Sequence, residues 1–216
     1  MSLSPRNIVI FQQSTLADKY VHATENAILD ILGYVPGQKR YRLLTNVAAN
    51  NLADMWVALS NSRTLETARR IRFKQIETTI IARALDYMAH RTQGISVDPI
   101  LLLNDGLYPP GYNYVFGFNT ADQTGVVVAR GDKSPAMLTD AQFTQIIRHE
   151  LGHKFGATTP GIRPASEIYN YPGLGEHCLS PNCVMNVIAS TDDLIKNPTT
   201  RFCPGCVAAI KRELSR

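Results

Sequence analysis

Five consecutive residues, His149, Glu150, Leu151, Gly152 and His153, restrict this chain more than any other feature of it. They spell H-E-x-x-H, and four residues make about one helical turn, so on a helix both imidazoles leave the same face and can grip one cation. Five His and seven Glu in 216 residues would produce the pattern about 0.004 times in a shuffled chain, so it is not an accident of composition. The flanking residues independently predict the helix. Thr139 with Gln142 three positions on forms a capping box, Phe143, Ile146, Ile147, Leu151 and Phe155 line an apolar stripe, and Gly156 ends it. Imidazole ligands with one position left for water fit zinc, and zinc brings the pKa of its water to about 7. Glu150 lies one residue round the helix from His149, where a carboxylate acts as general base while that water attacks a carbonyl.

The segments before this helix set its surroundings. Asn7 to Phe11 and Tyr41 to Val47 read as strands, and the period of Ala17, Tyr20, Val21, Ala27, Ile28 and Ile31 predicts a helix over 15–33 stopping at Gly33. Residues 51–60 and 64–91 read as helices, the second with Leu65, Ala68, Ile76, Ile80, Ala84 and Tyr87 near one face. Three short apolar runs between 99 and 131 read as strands, and Asn119 to Thr124 reads as a hairpin turn that leaves one of the last two strands at a sheet edge. From Gly156 to about 182 the chain is rich in Pro, Gly, Asn and Tyr and reads as loop; Pro204 to Leu214 reads as a short helix.

Composition excludes several function classes. No run of 18 apolar residues crosses a bilayer, and Ile8 to Phe11 is too short for the core of a secretory signal, which points to the cytoplasm. The net charge of +4 is mild, and its densest stretch, Arg69, Arg70, Arg72 and Lys74, lies beside Glu66 and Glu77 as on a solvated helix face, so no nucleic-acid or membrane partner is expected. All four cysteines fall between 178 and 206. In a reducing compartment such a cluster points to a metal, and in an oxidising one to disulfides.

A catalytic zinc needs a third protein ligand, and the left-handed turn that Gly156 permits sends the chain back for one. In the metzincin extension H-E-x-x-H-x-x-G-x-x-H that ligand would stand at 159, which here is Thr. Downstream the chain reads His177, Cys178, four residues, Cys183, Val184, Met185, seventeen residues, Cys203, Pro204, Gly205, Cys206. In these spacings it resembles the archaemetzincins, whose pattern is HExxHxxGxxHC, four residues, CxM, seventeen residues, CxxC. The resemblance implies that His149, His153 and His177 bind the catalytic zinc, that Glu150 is the base, and that Met185 forms the Met-turn beneath the metal. It also implies a second, structural zinc at Cys178, Cys183, Cys203 and Cys206, a set that offers four thiolates for a closed tetrahedral site on its own chemistry. The chain departs from the family in having twenty residues rather than two between Gly156 and His177. A surface loop of that length costs little extra closure entropy and can return His177 as a lid over the cleft, while Glu167 or Glu176 inside it is the alternative third ligand.

The expected fold class is α+β: a metzincin-like mixed twisted sheet with helices, an active-site helix, and a small C-terminal zinc-bound subdomain. We expect one domain over 1–216, divided at 156/157 into a sheet-and-helix part and a part with the insertion, Met-turn and cysteines. The expected activity is zinc-dependent hydrolysis of peptide bonds in a peptide or protein substrate, which the resemblance implies would lie along the sheet edge within 113–130. A small-molecule amide hydrolase and a non-catalytic zinc-stabilised binding domain are the alternatives. Tyr108, Tyr112, Tyr169 and Tyr171 are candidate oxyanion donors among which the sequence does not choose, and His22 and His90 read as ordinary surface residues.

Overall fold

The apolar runs at 97–103 and 126–129 have no polar alternation, which in a strand requires cover on both faces. A computed structural model supplies that cover; it describes residues 5–13, 16–44, 75–79, 81–82, 85, 97–108, 115–120, 125–131, 137–172 and 175–216. Along the chain run β1 (Arg6–Gln12), α1 (Lys19–Leu32), β2 (Tyr41–Leu44), β3 (Gln75–Glu77), β4 (Val97–Leu103), β5 (Gly106–Tyr108), β6 (Gly117–Asn119), β7 (Val126–Ala129), α2 (Asp140–Lys154), β8 (Ile168–Tyr171), β9 (Gly175–Cys178), α3 (Thr191–Lys196) and α4 (Pro204–Leu214). Five strands form the main sheet in the order β2-β1-β4-β7-β6. The first four are parallel, and β6 joins β7 antiparallel at one edge. This is the expected mixed sheet, with the hairpin and edge strand where the Asn119 to Thr124 turn placed them.

Alternation along the central strands divides the core into two layers. Ile100, Leu102, Val126 and Val128 face the helices, packing with Ile28 and Ile31 of α1 and with Phe143, Ile146, Ile147 and Leu151 of α2. Leu101, Leu103, Val127 and Ala129 face the other way, against Ile81, Leu85 and Leu107. Tyr20 of α1 meets Phe143 of α2 edge-on, ring centroids 4.9 Å apart, and its hydroxyl hydrogen-bonds Asp140 at the start of α2. Among the described residues no helix is long and apolar enough to cross a membrane.

Helix α2 begins and ends as its residues dictate. Thr139 and Gln142 form the reciprocal capping box, and Gly156 takes the left-handed conformation (φ +78°) just past the last turn. The helix is fastened at its far end by charge. Lys154 Nζ lies 2.6 Å from Asp98 Oδ2, with side chains 1% and 0% exposed, and Arg6 Nη2 reaches Asp98 Oδ1 from β1 at 2.6 Å. One carboxylate on β4 thus holds helix α2 and the neighbouring strand together.

Three expectations need correction or extension. The continuous helix expected over 64–91 is interrupted, because Gln75–Glu77 is a strand paired in parallel with β5, Ile76 opposite Leu107. Pairing with a distant strand overrides the helical period over these three residues, and Thr78, Thr79, Ile81, Ala82 and Leu85 beyond them are helical as expected. The stretch to 182 is more than loop: β8 and β9 form an antiparallel hairpin with Gly175 at φ +84°. Alternating Ile168, Tyr169, Asn170 and Tyr171 suits a strand, a signal masked by the surrounding Gly and Pro. Helix α3 was not anticipated, although Ser190 and Asp193 give it a full capping box. The helix expected over 51–60, residues 64–74 with the basic stretch, residues 80, 83–84 and 86–91, and residues 45–47 of the second strand lie outside the described residues.

Removing the carboxylate beneath α2 leaves the Lys154 ammonium buried without it, a change that costs about 3–5 kcal/mol for buried pairs. Urea unfolding of Asp98→Ala is expected to show a loss of that size, and Lys154→Met a smaller one because Arg6 still neutralises Asp98. An Asp98→Ala protein as stable as the wild type would refute this anchoring.

Candidate metal centres

The turn of helix from His149 to His153 lies between the edge strand β6 and the hairpin strand β9, and there three imidazoles converge. The ring centroids of His149, His153 and His177 are 4.8, 5.0 and 5.1 Å apart, and one nitrogen from each lies within 4.8 Å of the others. Each ring is oriented from behind. His149 Nδ1 lies 2.7 Å from the Val184 carbonyl, His177 Nδ1 3.0 Å from the Gly175 carbonyl, and His153 Nδ1 3.2 Å from Thr158 Oγ1. The carbonyls accept from Nδ1–H, which leaves the Nε2 lone pairs of His149 and His177 free; an acceptor behind the ring is the usual arrangement for a histidine that ligates metal through its other nitrogen. His149 Nε2 and His153 Nε2 stand 3.2 Å apart. At that distance the two nitrogens either share one proton or turn both lone pairs to one cation, and tetrahedral zinc separates its nitrogen ligands by about 3.3 Å.

Electrostatics agree with this reading. Burial, reinforced by the neighbouring His177, pushes His149 down to about 3. Burial also holds His153 well below the ordinary imidazole range and lowers His177. All three rings are therefore neutral lone-pair donors near pH 7.

Glu150 lies beside them, 7% exposed, and burial raises its carboxyl to about 8 against the hydrogen bond from Asn119. Asn119 Nδ2 donates to Glu150 Oε2 at 2.9 Å and to the Glu150 carbonyl at 3.2 Å. Gly117, two residues back on the same edge strand, leaves space for the carboxylate: a Cβ there would come within 2.7 Å of Glu150 Cγ. Sequence spacing does not reveal Asn119, Gly117 or Thr158, because the sheet edge and the turn after α2 bring them to the site only in three dimensions.

Met185 sits beneath α2, where a Cβ at Gly152 would fall 2.1 Å from its sulfur and 2.7 Å from Phe202. Gly152 of the H-E-x-x-H motif thus permits a close approach of this turn to the helix. The same turn serves both clusters: the Val184 carbonyl faces His149, and the Met185 carbonyl accepts the backbone N–H of Cys178 at 2.8 Å.

The four cysteines form the other cluster. None is in a disulfide, and their sulfurs lie within 4.8 Å of one another. Cys178 and Cys203 are 3.6 Å apart and Cys183 and Cys206 3.5 Å, close to the separation of about 3.8 Å between thiolates on tetrahedral zinc. Hydrogen bonds from the Cys183 and Cys206 thiols drive Cys178 far below the usual thiol range, and the same contacts push Cys183 up to about 12 and Cys206 higher still. Protein atoms alone set these three sulfurs against one another, Cys178 favouring the thiolate and Cys183 and Cys206 the thiol; the donor set suits a metal that takes all four cysteines deprotonated.

The alternative third ligands stand elsewhere. Glu167 pairs with Arg163 at 2.8 Å and is 47% exposed, and Glu176 faces Asn170 at 3.4 Å. Of the four tyrosines, Tyr171 lies edge-on to His177 at 5.8 Å and Tyr169 packs against Tyr171 at 4.6 Å. Tyr108 is buried in β5, and Tyr112 lies outside the described residues. His22 is exposed beside Glu25, and His90 lies outside the described residues.

No protein-family model matches the chain. The archaemetzincin of Methanopyrus kandleri is 28% identical over 148 residues, which span 67% of this chain and 73% of that protein. That of Pyrococcus horikoshii is 29% identical over 126 residues, 53% of this chain and 55% of that one. Among solved structures, the Methanopyrus kandleri archaemetzincin superposes with a TM-score of 0.60 at 19% identity, covering 99% of this chain and 97% of its own. The Archaeoglobus fulgidus archaemetzincin, complexed with malonate, gives 0.50 at 18% identity, covering 94% and 99%. In fold, and in the relatives its sequence matches, the chain is archaemetzincin-like.

Proposed function

We propose that this chain is a zinc-dependent metallopeptidase in which His149, His153 and His177 hold the catalytic zinc and Glu150 is the general base. The observation that carries the proposal is the convergence of three neutral imidazoles, each oriented from behind, beside one buried carboxylate. The archaemetzincin relatives agree with it. Zinc held there would supply Lewis acidity, polarising a scissile carbonyl and making water nucleophilic near neutral pH.

The chain's own residues do the rest. Glu150 accepts the proton of the attacking water and passes it to the leaving amine nitrogen. A cation held by the imidazoles offsets the burial that otherwise keeps Glu150 protonated, so the base is competent only in the loaded site. Asn119 keeps the carboxylate aimed, donating to it from the edge strand. That strand, β6, ends the sheet order, and an extended peptide can add to it as a further strand, bringing its carbonyls past Glu150. We further propose that Cys178, Cys183, Cys203 and Cys206 hold a second zinc with a structural role, giving two per chain, and that the whole chain works as one peptidase domain in the cytoplasm.

Metal quantification on the purified chain is expected to give about two zinc per chain, falling to about one in His149→Ala and equally in Cys203→Ser. A metal-free wild type ends the proposal. Glu150→Ala is expected to keep its zinc and lose hydrolysis by about 10²–10⁴-fold on a peptide that the wild type cuts. Undiminished cutting removes Glu150 from the mechanism; turnover confined to non-peptide amides across a library points to a small-molecule hydrolase, and zinc with no Glu150-dependent turnover to a binding domain. Gly117→Ala places a methyl group against Glu150 and is expected to lower kcat by up to about 10²-fold with zinc retained, since small misplacements of a reacting group are costly. An unchanged kcat would show that the edge strand does not position the base.

A further inference from the structure

Arg163 belongs to the segment that this chain inserts between Gly156 and His177, and its head group is turned into the cysteine cluster rather than toward solvent. Its side chain is 4% exposed. Nη1 lies 2.9 Å from Cys206 Sγ and 3.9 Å from Cys203 Sγ, and Nη2 lies 3.7 Å from Cys178 Sγ. Three of the four sulfurs thus face one planar, permanently charged fork. On its outer side Nη2 meets Glu167 Oε2 at 2.8 Å, so an exposed carboxylate orients the guanidinium from behind. The hook between Cys203 and Cys206 is shaped to admit it: a Cβ on Gly205 would come within 2.9 Å of Arg163 Cζ and 2.9 Å of Glu167 Oε2. A simple surface ion pair between Arg163 and Glu167 needs neither the burial nor the glycine.

We propose that Arg163 is the counter-cation of the four-thiolate metal site, a positioning residue that donates hydrogen bonds to its sulfurs and fastens the inserted segment to it. The proposal rests on the cysteines holding a divalent metal, as put forward above. Four thiolates exceed the charge of such an ion by two, and a buried excess of that kind is expensive unless a cation lies close. Hydrogen bonds from Nη1 and Nη2 withdraw charge from the sulfurs and make them poorer targets for protons and competing chelators. The contact also has a mechanical consequence. The Ile162 carbonyl accepts from Arg212 Nη1 of α4 at 2.8 Å, and the Glu167 carbonyl accepts from the N–H of Leu179 at 3.0 Å. Arg163 therefore sits where the insertion is pinned to α4 at one end and to the exit of β9 at the other, and β9 carries His177. The thiolate centre holds the insertion in the position that delivers the third imidazole.

The full chain loaded with cobalt(II) in place of zinc tests this, because sulfur-to-cobalt charge-transfer absorption in the near ultraviolet reports the thiolate site alone. A wild type without that absorption overturns the four-thiolate reading itself, a failure distinct from any result on Arg163. Given the band, Arg163→Gln is expected to shift it to lower energy and to speed transfer of the metal to a chelating dye about tenfold or more. Arg163→Lys, which keeps the charge and loses the fork, is expected to fall between. Wild-type band energy in Arg163→Gln, whether or not release is faster, overturns the proposal, since a residue that merely packs can change the rate but not the donor strength of the sulfurs. Should Arg163→Gln not fold, Arg163→Lys is read by the same criterion.

Discussion

The site depends on one helix being held still. Helix α2 must present two imidazoles and a carboxylate from one buried turn while its apolar stripe packs on the sheet, and apolar contacts alone allow a helix to slide or roll there. The Lys154–Asp98 pair removes that freedom, because an ammonium and a carboxylate excluded from water tolerate little separation. Lys154 follows His153 directly, so the fixed end of the helix is also the end that carries the imidazoles. Arg6 on the far side of Asp98 extends the restraint to β1, and Phe143, Ile146, Ile147 and Leu151 complete it along the length of the helix.

A second restraint comes from below the helix. Only a glycine at 152 lets Met185 approach so closely, and the turn around Met185 then offers one carbonyl to His149 and the next to the backbone of Cys178. Adjacent residues of a strand point to opposite faces, so the step from His177 to Cys178 on β9 sends one side chain to each cluster. The two clusters are therefore not independent modules. A single strand and a single turn contribute to both, and displacement of either must be felt in each.

Much of this was legible in the sequence because it is local. A capping box, an apolar stripe, H-E-x-x-H spacing and a terminal glycine all lie within about twenty residues, and each acts through the backbone of its own helix. The C-terminal helix is similarly declared by Pro204 at its first turn, and its bounds are the expected ones. The hairpin and edge strand were legible through turn chemistry at Asn119 to Thr124. What escaped was set by distant partners. Strand β3 exists through its pairing with β5, and β8 through its pairing with β9, neither of which leaves a periodic mark strong enough to outweigh the residues around it. Asn119, Gly117, Thr158 and Arg163 are ordinary residue types whose meaning lies only in what the fold places opposite them.

The insertion illustrates how a departure from a family pattern can be absorbed. Eighteen extra residues between Gly156 and His177 could have carried the third imidazole anywhere, yet His177 arrives within reach of His149 and His153. The left-handed Gly156 turns the chain off the helix axis, Arg163 ties the outgoing arm to the sulfurs, and the β8–β9 pairing returns the chain in register with Tyr169 opposite His177. Loop closure costs grow only logarithmically with length, so the entropic burden of eighteen residues is about 1–2 kcal/mol beyond that of a short connection. A few buried polar contacts outweigh it. The added length then leaves the Tyr171 ring edge-on to the imidazole of His177, with Tyr169 packed behind it, a contact that a two-residue connection could not have built.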